Sequence, residues 1–248
     1  MAEIRHAVSD ALRERFRAAE RIAVLTGAGI SAESGVPTFR GGGGTGIWEW
    51  KGRPVTELSS AELLAEDPEL VWEWFEYRRG LMKAVKPNAG HAALAGWEAG
   101  RNVTIATQNI DGLHAAAGSR RVLEMHGNLW RGACTRCGLR KDLPATPLPR
   151  IPPLCDCGGP LRPDVVLFGE MLPPGVYDAA LGAAVACDLF FVVGTSAVVY
   201  PAAYLPVEAR SAGAFVVEVN PEETEITGRV DVTILGKAGE ILPTFEES

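Results

Sequence analysis

Short apolar runs recur along the chain at Ile22 to Thr26, Val103 to Thr107, Val122 to Met125, Val165 to Phe168, Leu189 to Val193, Phe215 to Val219 and Val232 to Leu235. They are too apolar to have one wet face. Successive strand residues point to opposite sides of a sheet, so a run such as Phe190-Phe191-Val192-Val193 must be covered on both. Parallel strands obtain that cover from crossover helices, and the segments between these runs are helix-like or rich in Gly and Pro. The fold class is therefore α/β, a doubly wound, mostly parallel, Rossmann-like sheet. Ahead of the first run, Ser9 is placed to cap a helix whose Leu12, Phe16 and Ala19 share one face.

Two stretches break the strand and helix alternation. Gly41 to Pro87 contains several Trp and a helix predicted after Asp67-Pro68, and Leu129 to Pro163 contains four cysteines and many prolines. We read residues 1–40, 88–128 and 163–248 as the Rossmann-like domain, 41–87 as a loop and helical insertion, and 129–162 as a cysteine module. The two insertions would form a smaller lobe.

The chain of 248 residues carries 24 Lys plus Arg against 31 Asp plus Glu, a net charge of −7. With no basic block it repels phosphate backbones, which argues against direct nucleic-acid binding and suits a lysine-bearing partner better. Met1 to Glu20 lacks the apolar core of a signal peptide, and Asp188 separates the apolar stretches Ala179 to Cys187 and Leu189 to Val193. A cytoplasmic protein that does not enter a membrane is expected.

Strand Ile22 to Thr26 runs into Gly27-Ala28-Gly29-Ile30-Ser31-Ala32, a G-x-G-x-x-A turn where a dinucleotide-binding fold places its phosphate. A plain tight turn would look the same, and the acidic residue expected on a strand about 20 residues later is missing. Polar residues also follow other runs: Gln108-Asn109-Ile110-Asp111, His126, Gly194-Thr195-Ser196 and Asn220-Pro221-Glu222. Ligands of open α/β sheets bind at these carboxyl ends. His6, His91 and His114 have no comparable setting.

Cys134-x2-Cys137 and Cys155-x-Cys157, separated by seventeen residues, place four soft ligands in one module. In a reducing compartment they suit one tetrahedral Zn²⁺ whose shell they fill, making the metal structural; a redox dithiol is the alternative. The second pair, C-x-C, demands a tighter turn than C-x2-C. Cys187, in an apolar run, is assigned to the core.

Taken in order, Gly27-Ala28-Gly29-Ile30-Ser31 through Pro37-Thr38-Phe39-Arg40, then Thr107-Gln108-Asn109-Ile110-Asp111, then His126-Gly127, then Gly194-Thr195-Ser196, closely resemble the sirtuin family of NAD-dependent protein-lysine deacylases. The resemblance spans nearly the whole chain. It implies that NAD is a consumed cosubstrate, that Asn109 and Asp111 line the nicotinamide pocket, that Gln108 contacts the nicotinamide ribose and that His126 is the general base. It further implies NAD contacts from Phe39 and Arg40, from Gly194, Thr195 and Ser196, from Asn220, Pro221 and Glu222, and from the backbone near Ala238. The acyl-lysine oxygen would attack the ribose C1′ as nicotinamide leaves, and the products would be free lysine and 2′-O-acyl-ADP-ribose. His114 matches a recurrent family position to which no chemistry is assigned.

On the helix after Asp67-Pro68, Val71, Phe75, Arg78 and Met82 form one stripe. Family members that remove succinyl or malonyl groups carry Tyr-x-x-Arg here; this chain retains Arg78 and has Phe75 in place of the Tyr. Acetyl and acidic acyl groups both remain open as substrates. Val166-Leu167-Phe168-Gly169-Glu170 and Val198-Val199-Tyr200 match segments between which an extended peptide pairs as a strand. Mono-ADP-ribosyl transfer from the same NAD site, or a non-catalytic NAD-sensing module, are the alternatives in function.

Overall fold

The apolar runs lie side by side in a computed structural model that describes residues 3–37 and 47–247. Among these residues, one all-parallel sheet has the order Glu3–Arg5, Val232–Leu235, Phe215–Asn220, Leu189–Val193, Arg21–Thr26, Asn102–Thr107, Val122–Glu124. Phe190, Phe191, Val192 and Val193 are all buried, as a strand covered on both faces requires. Six of the seven expected runs take their places in this sheet.

Helices Asp10–Ala18 and Ala89–Trp97 cover one face together with the C-terminal turns, and their core brings Phe16, Trp97, Phe191 and Phe245 into ring contact at centroid distances of 4.7–5.8 Å. Ser9 caps the first helix as expected, accepting the Leu12 N–H at 3.3 Å, and Leu12 and Phe16 are buried. The opposite face is covered by Val176–Ala186 and Leu205–Ser211, where Cys187 is buried beside Phe190 and Val192.

Two expectations need correction. Glu3–Arg5 adds an edge strand beside Val232–Leu235; its three residues are too short and polar for an apolar pattern to disclose. Val165 to Phe168 is not a strand of the parallel sheet. The strand there is Leu161–Val165, paired antiparallel with Gly127–Cys134 in a separate three-stranded sheet completed by Arg140–Asp142. The apolarity of Val165 and Leu167 instead serves a third core, shared with Val71, Trp72, Phe75 and Met82 of helix Pro68–Met82.

That helix begins as its sequence dictates, with Asp67 accepting the Leu70 N–H at 2.9 Å and Pro68 in the first turn. Trp72 Nε1 donates to the Leu161 carbonyl at 2.7 Å, fixing the helix to the antiparallel sheet. Arg79, fully buried, donates to the carbonyls of Leu129 (3.0 Å), Leu143 and Ala145 and pairs with Glu76 at 3.2 Å. No helix of the described residues is long and apolar enough to cross a membrane.

Candidate functional site

From Arg21–Thr26 the chain builds outward one way to Asn102–Thr107 and later the other way from Leu189–Val193, so the strand order reverses between Thr26 and Val193. A crevice opens at such a point. The Gly27 N–H donates to the Val193 carbonyl at 3.1 Å and the Gly29 N–H to the Gly194 carbonyl at 2.8 Å. A Cβ on Gly29 would lie 2.7 Å from Gly194 Cα, so glycine is required there for the two turns to interlock. Gly239, in the turn after Lys237, donates its N–H to Glu33 at 2.7 Å, which brings Ala238 to the same edge.

Thr26 and Thr107 end adjacent strands in register, and the segment after Thr107 folds over the crevice. Asn109 Nδ2 donates to the Gly27 carbonyl (3.0 Å) and to Ser31 Oγ (3.2 Å), while Gln108 Nε2 donates to Thr195 Oγ1 (2.9 Å). Asn220 Nδ2 donates to the Thr195 carbonyl at 3.0 Å. Buried Asp111 accepts the Ser31 hydroxyl at 2.7 Å and the Leu113 N–H at 2.9 Å. Gly27, Gly29, Ser31, Gln108, Asn109, Asp111, Gly194, Thr195 and Asn220 thus meet at one sheet edge. Ile110 turns the other way into the lobe core, and Pro221 and Glu222 are exposed, without hydrogen bonds among the described residues. Phe39 and Arg40 lie outside the described residues.

His126 follows strand Val122–Glu124, and Gly127 turns the chain at φ +82°, where a Cβ would lie 2.0 Å from the Asp164 carbonyl oxygen. The turn leaves His126 facing back toward the Gln108 carbonyl, 2.9 Å from Nδ1. A carbonyl oxygen only accepts, so the hydrogen sits on Nδ1 and Nε2 carries the bare lone pair. Burial lowers the pKa, opposed by the Gln108 hydrogen bond, and the ring is neutral near pH 7. A neutral imidazole with Nε2 bare can accept a proton.

His91 and His114, set aside in the sequence, prove to lie directly behind this edge. Their rings are 4.9 Å apart; His91 Nε2 is 3.4 Å from Ser31 Oγ, and His114 Nε2 is 2.9 Å from Thr26 Oγ1. Burial, then the neighbouring His91, lowers the pKa of His114 to about 3; burial also lowers that of His91, against the charge of Asp111. Asn88-Ala89-Gly90-His91 carried a readable signal, because Asn88 caps helix Ala89–Trp97 and His91 closes its capping box. Asn88 Nδ2 also donates to the Ile30 carbonyl at 2.7 Å, tying that helix to the glycine turn.

On helix Pro68–Met82, Phe75 is buried and Arg78 half-buried, its guanidinium 5.7 Å from the Trp74 ring and 5.8 Å from that of Phe75. Burial lowers the pKa of Arg78 to about 10, opposed by the charge of Asp111, so it stays cationic at neutral pH and senses the Asp111 loop. Tyr77 points elsewhere, stacking on Trp50 at 5.6 Å and Trp74 at 6.0 Å. Val166 donates its N–H to the His126 carbonyl at 2.9 Å. Phe168 pairs its N–H with Ser59 (2.8 Å) and its carbonyl with Ala61 (3.0 Å), while its ring stands exposed. The Leu167 carbonyl accepts the Glu170 N–H at 3.0 Å, so less backbone is left to pair with an extended segment than the five-residue match suggests.

The sulfurs of Cys134, Cys137, Cys155 and Cys157 lie within 4.8 Å of one another, with Cys134 to Cys157 at 3.5 Å and Cys137 to Cys155 at 3.7 Å. A tetrahedron of Zn–S bonds of about 2.3 Å has edges of about 3.8 Å, so the four fit one zinc ion. The tight C-x-C turn is closed by its glycines, Gly158 donating to Cys155 at 2.9 Å and Cys155 to Gly159 at 2.8 Å. The Cys137 N–H, with that of Arg136 and against burial, draws the Cys134 thiol down to about 6, while at Cys137 the Leu139 N–H is outweighed by the neighbouring Cys134 and Cys157 sulfurs and the thiol is raised.

The sequence pattern of the Sir2 family matches residues 27–201. A protein of Pyrobaculum aerophilum named NAD-dependent protein deacylase 2 is 53% identical over 226 residues, 90% of this chain and 89% of its own. A crystal structure of a Sir2 homolog–NAD complex superposes with a TM-score of 0.89 at 40% identity, over 98% of this chain and 94% of that one. A complex described as Sir2–p53 peptide–NAD+ superposes with a TM-score of 0.79 at 31% identity, over 96% and 97%. Matched by that family over residues 27–201 and by a relative 53% identical over 90% of its length, the protein belongs to the Sir2 family.

Proposed function

We propose that this protein removes acyl groups from protein lysines in an NAD-dependent reaction, with His126 as general base and Asn109 and Asp111 receiving the nicotinamide end of NAD. The observation that carries this reading is the fixed tautomer of His126, with Nδ1–H on the carbonyl of Gln108, the residue that leads into Asn109 and Asp111, and Nε2 left bare. Gln108, Thr195 and Asn220, hydrogen-bonded across three strand ends, would hold the ribose and phosphate portion, with Gly27, Ala28, Gly29, Ser31, Gly194, Ser196 and Ala238 beside them. Pro221 and Glu222 would meet the adenosine ribose, Phe39 would cover the emptied nicotinamide site, and Arg40 would bind near the ribose and phosphates.

One structural zinc would be held by Cys134, Cys137, Cys155 and Cys157, supplying rigidity and no Lewis-acid chemistry because the thiolates fill its shell. The substrate is an extended acyl-lysine segment lying along Val166, Leu167, Phe168 and Gly169. Arg78 stays cationic near Asp111 and can meet a carboxylate, while buried Phe75 lacks the hydroxyl of a Tyr. Acidic acyl groups therefore join acetyl as substrates. Four clustered thiols that serve as metal ligands favour a reducing compartment such as the cytoplasm.

The test is incubation with NAD and matched acetyl-, succinyl- and malonyl-lysine peptides, following peptide mass and nicotinamide release. Loss of acyl mass only when NAD is present supports the reading, and label from NAD retained on protein would support ADP-ribosyl transfer instead. In the His126→Ala variant turnover should fall by roughly 10²–10⁴. Full activity there would overturn the base assignment.

A further inference from the structure

The peptide group between Gln108 and Asn109 is gripped from both sides. Its carbonyl accepts Nδ1–H of His126 at 2.9 Å, and its N–H, that of Asn109, donates to Thr107 Oγ1 at 3.1 Å. Behind Thr107 the contacts continue into the protein. Thr26 Oγ1 donates to Thr107 Oγ1 at 2.8 Å, and His114 Nε2 lies 2.9 Å from Thr26 Oγ1. Thr26, Thr107 and His114 are all buried.

The buried end of this chain sets its hydrogens. A hydrogen on His114 Nδ1 would be an N–H buried without an acceptor, so the hydrogen sits on Nε2 and is donated to Thr26 Oγ1, whose own hydrogen then goes to Thr107 Oγ1. Nδ1 of His114 is buried without a hydrogen-bond partner among the described residues, and a bare nitrogen is tolerated in such a place better than an orphaned N–H. Burial keeps the ring neutral, in agreement.

We propose that His114 is a positioning residue for His126: through Thr26 and Thr107 it fixes the Gln108–Asn109 peptide plane, and that plane fixes which nitrogen of His126 is bare. Linked hydrogen bonds of this kind polarise and orient one another in a buried setting. Without the His114 donor, the Thr26 hydroxyl is free to rotate away from Thr107, the peptide loses its hold, and the hydrogen of His126 is no longer confined to Nδ1. The inference rests on the reading of His126 as general base.

Three variants test it: His114→Leu, which deletes the donor; His114→Gln, whose amide restores an N–H near the Nε2 position; and Thr26→Val, which removes the middle of the chain at nearly constant shape. Two quantities are measured, kcat with KM for NAD, and the ring ¹⁵N shifts of His126 in ¹⁵N-histidine-labelled protein. In His114→Leu and Thr26→Val, kcat should fall about tenfold, the loss expected for one buried hydrogen bond, with KM for NAD little changed. Their His126 shifts should move from a single Nδ1–H tautomer toward a mixture, and His114→Gln should recover both quantities. If His114→Leu does not fold, Thr26→Val reads out the same chain. Wild-type kcat and an unmixed tautomer in a folded variant would overturn the proposal, whatever its stability, and so would equal impairment of Gln and Leu. His126→Ala is assayed alongside. Activity in that variant would overturn the base reading beneath the proposal, whereas an inactive His126→Ala beside an unaffected His114→Leu would overturn this inference alone.

Discussion

Ser31 donates its hydroxyl hydrogen to Asp111 at 2.7 Å across 80 positions of chain, fastening the first glycine turn to the loop after strand Asn102–Thr107. Asp111→Ala would leave the Ser31 hydroxyl and the Leu113 N–H without their acceptor in a buried place. We expect a loss of about 1–3 kcal/mol in stability from denaturant unfolding, with nicotinamide release impaired beyond what the unfolded fraction explains. Asp111→Asn, which keeps an acceptor, should recover most of the stability.

Replacing Phe75 by Tyr would put a hydroxyl one helical turn from Arg78. Phe75→Tyr should raise turnover of succinyl- and malonyl-lysine peptides relative to acetyl-lysine, and Arg78→Met should lower that ratio at least about tenfold, the value of one charge-assisted contact. Equal losses on all peptides with Arg78→Met would assign the guanidinium to packing against Trp74 and Phe75.

Acid should destabilise the fold through its buried histidines. The pKa of His114 is about 3 in the folded chain against 6.5 for the ordinary side chain, so between those values the unfolded chain binds a proton that the folded one excludes. This contribution is fully present above pH 6.5 and is lost as pH falls toward 3, at about 1 kcal/mol per pH unit. His91, lowered in the same sense, adds to it. Urea unfolding at several pH values should show a shallower slope for His114→Gln than for wild type. Turnover should likewise decline on acidification as His126 protonates, with a midpoint below that of an ordinary histidine.

Metal analysis should find one zinc per chain. Strand Gly127–Cys134 runs from the residue after His126 to the first thiol, so chelation or Cys134→Ala should lower both melting temperature and turnover. Restored activity on adding zinc to the chelated protein would complete the test.

The parallel sheet was legible in the sequence because its strands are buried on both faces, and apolar runs such as Leu189–Val193 have no other use. Site residues at strand ends were legible for a related reason: a polar Gln108-Asn109 or His126 directly after such a run stands at the edge where ligands bind. Val165 misled because an apolar run discloses burial without saying against what, and here the partner is helix Pro68–Met82. Arg79 could not have been told from Arg78. Its partners are backbone carbonyls of Leu129, Leu143 and Ala145, which leave no trace in residue type. His91 and His114 reach the site edge through Ser31 and Thr26, partners that only the tertiary fold supplies.

The helix bearing Phe75 and Arg78 belongs to the core it shares with the cysteine sheet, while the glycine turns and strand ends proposed to meet NAD belong to the cores on either face of the parallel sheet. Cofactor and acyl group are thereby assigned to separate packing units that meet only at the crevice. A lineage can exchange residues along that helix and acquire a taste for a differently sized or charged modification, while the machinery that cleaves the dinucleotide is inherited intact.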